Sequence, residues 1–352
     1  MRAGFLPGKH QPDHHAGDPL PPTLCGADSS CSFPAITWRP VQPADQCGSP
    51  SSCSAFKNCA LVLHTRYAER VPVLLGDRSW FASLVFFQPR IDRQCALCRN
   101  TAANISGVAC FCAEDAGMPS GMASRLGYFQ HRFHAPALRM AVSLAQQQRL
   151  HRIISGVLFA HFDMYINVRI FRPDMPFHTP WVLENGFKGQ PSQKRGQAPG
   201  EVPTQPRCFV ANSSLLLSPV RADRYPWFGN SHHRCSAAVQ QLTSDIDASE
   251  RACCYGWADM YYVPHGLLSP FLALLASEEM SMVHNEVAVP TTVYHLARQH
   301  NITALALHCF GGAAIQGGLD LRMNNSWACG HRLQLQHSDD QQFLLKLTDL
   351  RW

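Results

Sequence analysis

Several signatures of common enzyme classes are absent from this 352-residue sequence. It contains no G-x-S-x-G nucleophile motif, no Walker phosphate loop, no G-x-G-x-x-G fingerprint and no H-E-x-x-H zinc motif. The sequence therefore gives no support for a serine hydrolase, a P-loop nucleotidase, a Rossmann dehydrogenase or a zincin metalloprotease.

Charge is scarce, and long apolar runs are missing as well. Only 16% of the residues are charged, and the net charge of +5 is not gathered into a Lys/Arg run, so no nucleic-acid partner is expected. No apolar run reaches the roughly eighteen residues of a membrane span, and none is expected. The first 20 residues carry Pro, His and Asp where a secretory signal has an apolar core.

Cysteine, in contrast, is abundant. The 15 cysteines are an odd number, so at least one is unpaired within the chain. N-x-S/T sequons occur at Asn104, Asn212, Asn301 and Asn324. Cysteines and sequons together favour a lumenal or extracellular compartment, whereas the missing signal sequence does not.

Composition divides the chain into four segments. Residues 1–56 are rich in Pro, Ser and Cys and are expected to be a disordered leader. Residues 189–206 form a low-complexity insert that predicts a loop. Residues 57–188 and 207–352 are predicted to be the two halves of one domain.

Strand and helix patterns alternate along the ordered part, which predicts an α/β fold with a largely parallel sheet. The pattern predicts buried strands at 59–64, 81–87, 105–110, 156–161 and 304–310. Helices are predicted at 65–76, 134–154 and 267–282, and a further helix is predicted to start at Pro290.

The apolar strand at 156–161 runs directly into His161-Phe162-Asp163. Side chains alternate along a strand, so His161 and Asp163 share one side. Ligands of open α/β sheets bind at the carboxyl ends of strands, where a carboxylate and an imidazole can hold a divalent cation. The alternative is that the two side chains only satisfy each other or the backbone.

Three further polar residues lie next to apolar or aromatic segments. Asp259, flanked by Trp and Tyr, suits a sugar or acceptor contact, with a buried capping Asp as the alternative. Glu286 suits a general base for an acceptor hydroxyl, with a solvated Glu as the alternative. His308 suits a second metal ligand, with a core histidine as the alternative.

The order of these residues resembles the GT-A fold of nucleotide-sugar glycosyltransferases. His161-Phe162-Asp163 resembles the D-x-D motif, Tyr255-Gly256-Trp257 the glycine loop, Asn285-Glu286 the acceptor-side acid, and His308 the late histidine. The resemblance covers roughly residues 58–312. Residues 156–167 and 256–264 also resemble a eukaryotic family that is distantly glycosyltransferase-like.

The resemblance implies a GT-A-like mixed sheet with flanking helices and a metal-dependent sugar transfer from a nucleotide-sugar donor to a glycan or glycoprotein acceptor. It implies Mn²⁺ or Mg²⁺ held by Asp163, His161 and His308. Arg66 and Gly256 would contact the donor, Glu286 and Asp259 would act on the acceptor side, and the location would be the ER or Golgi lumen.

Two other interpretations remain. Because His161 replaces the first acid of D-x-D, the chain can be a GT-A-like protein that binds carbohydrate or assembles with a partner without catalysis. The alternative is a binding protein stabilised by disulfides or by zinc, since Cys95-x-x-Cys98 and Cys110-x-Cys112 supply enough thiolates for a tetrahedral site.

Overall fold

The computed structural model describes residues 30–33, 54–65, 71, 75–88, 93–116, 134–148, 153–161, 164–166, 168, 171, 175–183, 207–210, 226–242, 251–307 and 329–330. The strands are β1 (Ser30–Ser32), β2 (Cys59–His64), β3 (Ser83–Gln88), β4 (Val108–Cys112), β5 (Gly156–His161), β6 (Tyr165–Ile166), β7 (Trp181–Leu183), β8 (Arg207–Val210), β9 (Ala252–Tyr255), β10 (Trp257–Pro264), β11 (Leu305–Leu307) and β12 (Cys329–Gly330). The helices are α1 (Arg93–Ala102), α2 (His134–Gln148), α3 (Pro226–Leu242), α4 (His265–Leu275), α5 (Glu278–Ser281) and α6 (Asn285–Gln299), and two 3-10 helices cover Leu75–Trp80 and Ala113–Ala116.

A seven-stranded mixed sheet in the order β11-β7-β10-β5-β2-β3-β4 organises the described chain. Strand β10 is antiparallel to its neighbours β5 and β7, and all other neighbouring strands pair in parallel. The parallel strands therefore all end on one side of the sheet, the carboxyl end, and all begin on the other, the amino end.

The strand order reverses between β2 and β5. From β2 the chain adds β3 and β4 outward on one side, then returns to add β5 on the other side of β2. In open α/β sheets, a reversal of this kind is where ligands bind in a crevice at the carboxyl ends of the strands.

Helices cover both faces of the sheet and create two cores. One face carries Val62 and Phe159 and packs against α2, α4 and α6. The other carries Leu61 and Phe86 and packs against α1 and the 3-10 helix Leu75–Trp80. The predicted α/β class with a mixed sheet and flanking helices is confirmed, and the arrangement is consistent with a GT-A-like fold.

The predicted strands 59–64 and 156–161 match β2 and β5, and the predicted helix from residue 134 begins at His134 but ends earlier, at Gln148. The strand predicted at 105–110 is displaced to Val108–Cys112. Gly107 before it has a φ of 71°, in the left-handed region, and the Arg78 guanidinium fills the space that a side chain would need.

The helix predicted to start at Pro290 starts at Asn285 instead, so this prediction was wrong. Nδ1 of His284 accepts a hydrogen bond from the Glu286 N–H at 3.2 Å and caps the helix. Pro290 consequently lies inside α6, not in its first turn.

Part of the leader predicted to be disordered is ordered in the structure. Strand β1 pairs with β8, and Phe33 is fully buried with its ring stacked on Tyr294. The insert 189–206 lies outside the described residues, and the division into two halves stays a prediction.

The zinc site proposed for two cysteine pairs is wrong. Cys95 is bonded to Cys112 and Cys98 to Cys110, so the four sulfurs are not thiolates that zinc could bind. Two more disulfides, Cys208–Cys254 and Cys235–Cys253, hold β8, β9 and α3 together. Among the described helices, none has the length and apolarity that a membrane crossing requires.

Candidate functional site

Two histidines end the strands on either side of the reversal in strand order. His64 closes β2, His161 closes β5, and the two are partners in the parallel register. Their ring centroids are 4.6 Å apart in an edge-to-face arrangement. His64 is 8% exposed and His161 is half-buried, so the pair lies between the core and the surface at the carboxyl end of the sheet.

Asp259 lies beside this pair. Met260 of β10 is the partner of Ala160, and Asp259 and His161 are the next residues on the two antiparallel strands. The regular pairing of the two strands ends at Met260 and Ala160, so Asp259 and His161 are neighbours along the backbone of the sheet. Asp259 is half-buried, and its role in a site stays a prediction.

Strand β10 is irregular around Asp259. Trp257 pairs with Leu183 of β7, but Tyr261 pairs with Val182, so β10 has extra residues in this stretch. Such bulges change the direction of side chains and are common beside active sites. The irregularity separates Asp259 from the regular β7 ladder.

A buried polar contact between His134 and Tyr261 lies next to the histidine pair. His134, the first residue of α2, stacks on Phe159 with centroids 4.1 Å apart, and its Nδ1 lies 3.1 Å from the Tyr261 hydroxyl. Burial raises the pKa of Tyr261 well above its ordinary value, so the hydroxyl stays protonated and can donate. The amino terminus of α2 is therefore fixed next to His64, 6.1 Å away between ring centroids.

Gly256 and Glu286 are also brought together, through the backbone. The Gly256 N–H donates to the Glu286 carbonyl at 2.9 Å. In a regular helix this carbonyl would accept from the residue four positions later, but that residue is Pro290, which has no N–H. The missing helix bond is thus replaced by one that ties the β9–β10 connection to the first turn of α6.

The Glu286 side chain is half-buried in that first turn. A carboxylate near a helix amino terminus stabilises the helix through the macrodipole, which is the structural alternative to a role in catalysis. The same position leaves it partly open to solvent, as a base for an acceptor hydroxyl requires.

Arg66, Asp163 and His308 lie outside the described residues. In the sequence each follows the carboxyl end of a strand: Arg66 follows β2, Asp163 follows β5, and His308 comes directly after β11. Their roles stay predictions.

The described residues do not form a cation site around His161. Within the ranges the structure covers, one cluster of three potential ligands occurs, Cys95, Cys112 and Glu114, and its two sulfurs are bonded to each other. Of the three predicted ligands, only His161 is described. The described side chains alone therefore do not fit a divalent cation.

Sequence reasoning missed His64, His134 and Tyr261. His64 ends an apolar strand as His161 does, and this parallel was the available signal. The role of His134 had no signal in the sequence, because only the packing of α2 against β5 brings its ring to Phe159.

Comparisons with known proteins do not assign this chain to a family. No protein-family model matches the chain, and no curated protein matches it. A solved structure of core-mannan synthase A from Aspergillus fumigatus, in an Mn/GDP form, is similar at 12% identity and a TM-score of 0.33, over 78% of this chain and 79% of that one. A TM-score of this size establishes neither a fold nor a function for this chain.

Proposed function

We propose that the crevice beside His64, His161 and Asp259 binds a nucleotide sugar, and that the chain transfers the sugar to a glycan or glycoprotein acceptor. One observation carries the proposal. Two in-register histidines end adjacent parallel strands at the point where the strand order reverses, which is where open α/β sheets bind ligands.

The surroundings of the pair suit an anionic donor. Helix α2 begins at His134, whose ring centroid lies 6.1 Å from that of His64, and the N–H groups and dipole of a helix start favour a negative group such as a diphosphate. Imidazoles add hydrogen-bond donors. Arg66, two residues beyond His64 in the sequence, supplies a guanidinium with the geometry for phosphate.

The acceptor side would be formed by Asp259, Gly256 and Glu286. In the proposed reaction, Glu286 takes the proton of an acceptor hydroxyl while that oxygen forms a bond to the anomeric carbon. The bond from that carbon to the phosphate oxygen breaks, and the nucleotide leaves with the electron pair. The Gly256–Glu286 backbone bond holds the base against the strand that carries Asp259.

The proposal includes a divalent cation only as an ion that Asp163, His161 and His308 would bind together. The described residues do not fit one by themselves, so no step above uses it. When bound, a cation would neutralise charge on the leaving diphosphate.

A second function, carbohydrate or nucleotide-sugar binding without transfer, is favoured by His161. This imidazole stands where the resemblance implies an acid, and it packs against His64. It would leave a site that binds the donor without turning it over.

The test is a panel of UDP-, GDP- and CMP-sugars, with and without Mn²⁺ or Mg²⁺, in which released nucleotide is measured with a mixture of glycan acceptors. We expect release from one nucleotide class, and a loss on the order of 10²-fold or more in Glu286→Gln. The matched control is Glu279→Gln, in the short helix α5, which should keep full activity. Binding without release would support the second function, and equal activity in both variants would remove Glu286 from the mechanism.

A further inference from the structure

Two of the sequons, at Asn104 and Asn301, fall on described residues, and both asparagines are exposed. Asn104 lies in the turn between α1 and β4, and Asn301 in the turn between α6 and β11. Exposed turns are where N-linked glycans are accommodated, since a bulky polar group cannot be buried.

Both turns lie at the amino end of the sheet. Each directly precedes a strand, β4 or β11, and these are the two outermost strands of the seven. The candidate site is at the carboxyl end, across the length of a strand, about 20 Å for six residues. Glycans at these positions would leave the crevice uncovered.

The disulfides provide an independent observation. Two disulfides, Cys95–Cys112 and Cys98–Cys110, connect α1 to β4 on either side of the turn that contains Asn104. The other two, Cys208–Cys254 and Cys235–Cys253, are buried in the core. Disulfides of this number persist in oxidising compartments, which in eukaryotes include the lumen where N-glycans are added.

We propose that Asn104 and Asn301 are acceptor sites for N-linked glycans. The amide Nδ2 forms a bond to the anomeric carbon of an oligosaccharide carried on a polyprenyl diphosphate. The bond from that carbon to the diphosphate oxygen breaks, the diphosphate leaves, and the amide nitrogen loses a proton to a base of the transferring enzyme. This inference does not depend on the proposed function.

Asn301 has a competing structural explanation. Its φ of 51° is in the left-handed region, which asparagine adopts more readily than most residues at a helix end. The test must therefore break the sequon without changing the asparagine. Thr303→Ala does so, and Thr303→Ser is the matched control that keeps the sequon. Ser106→Ala and Ser106→Thr are the corresponding pair for Asn104.

The full chain is expressed in eukaryotic cells behind a cleavable signal peptide. Protein is recovered from the whole lumenal fraction, whether folded or not, and treated with an amidase that releases N-glycans in heavy-oxygen water. We expect peptide mass spectrometry to find labelled Asp at 104 and 301, retained in Thr303→Ser and Ser106→Thr and lost at the matching site in the Ala variants. Unlabelled Asn at either position in the wild-type chain would overturn the proposal for that site.

Discussion

His64 and His161 are register partners on adjacent parallel strands, with ring centroids 4.6 Å apart at the point where the strand order reverses. In the proposed function, this pair lies beside the bound nucleotide sugar.

The Tyr261 hydroxyl should stabilise the fold through its contact with His134. Tyr261→Phe keeps the ring stacked on Phe159 but removes the partner 3.1 Å from Nδ1 of His134. We expect the free energy of unfolding to fall by about 1 kcal/mol in urea titrations at an unchanged slope. Stability equal to that of the wild type would show that the contact contributes nothing.

The disulfides that connect α1 to β4 can be tested by peptide mapping. Non-reducing peptide analysis should find Cys95 linked to Cys112 and Cys98 linked to Cys110. The paired Cys98→Ser and Cys110→Ser change should lower stability by less than the roughly 3 kcal/mol of an isolated loop of this size, because the Cys95–Cys112 bond still closes the unfolded chain around it. Alkylation of all four thiols in the native protein would contradict the structure.

Cys59 should be inert in the folded protein. It is the free cysteine among the described residues, it is fully buried at the start of β2, and burial raises the pKa of its thiol far above the ordinary range. Because the thiolate is the reactive form, iodoacetamide should label Cys59 only after denaturation. Labelling at native conditions would show that β2 opens or is packed differently.

Acid should destabilise the protein through His295. Burial lowers the pKa of His295 from 6.5 to about 4, and this effect outweighs the opposing hydrogen bond that Nε2 donates to the Ala252 carbonyl at 2.8 Å. Between these values the unfolded chain binds a proton that the folded chain does not, so stability present above pH 6.5 is lost as pH falls towards 4.

The loss assigned to His295 is about 3 kcal/mol across that window. His295→Gln keeps an amide that can donate to Ala252 and removes the titration. The variant's unfolding free energy should consequently fall less steeply with pH than that of the wild type. Parallel curves for the two proteins would exclude His295 as the cause.

Local patterns in the sequence were sufficient for the central strands. β2 and β5 are continuous apolar runs that end in histidine, and both strands were predicted. The start of α6 was not predictable in the same way. It depends on the His284 cap and on Gly256, distant in sequence, which donates to the carbonyl that Pro290 leaves without a helix bond.

The candidate site was predicted only in part, for the same physical reason. His161 and Asp259 could be selected from their flanking residues, but their adjacency follows from the pairing of β5 with β10, nearly a hundred positions apart in the sequence. The cysteines show the limit most clearly. The spacing of Cys95, Cys98, Cys110 and Cys112 in the sequence is compatible with a zinc site. Only the approach of α1 to β4 in the folded chain shows that these cysteines form disulfides.

We infer that a nucleotide binds at the carboxyl ends of β2 and β5, and a thermal-shift panel of UDP, GDP and CMP tests this most directly. Wild-type protein, Asp163→Ala and His64→Phe are each measured with and without Mn²⁺, with His178→Phe, an exposed residue before β7, as the control.

We predict that one nucleotide stabilises the wild type and the control, by about 2.7 kcal/mol at a hundredfold excess over its dissociation constant. The shift should require Mn²⁺, disappear in Asp163→Ala and weaken in His64→Phe. If no nucleotide shifts a wild-type protein that melts cooperatively, or if the shift is unchanged in both site variants, the account is contradicted.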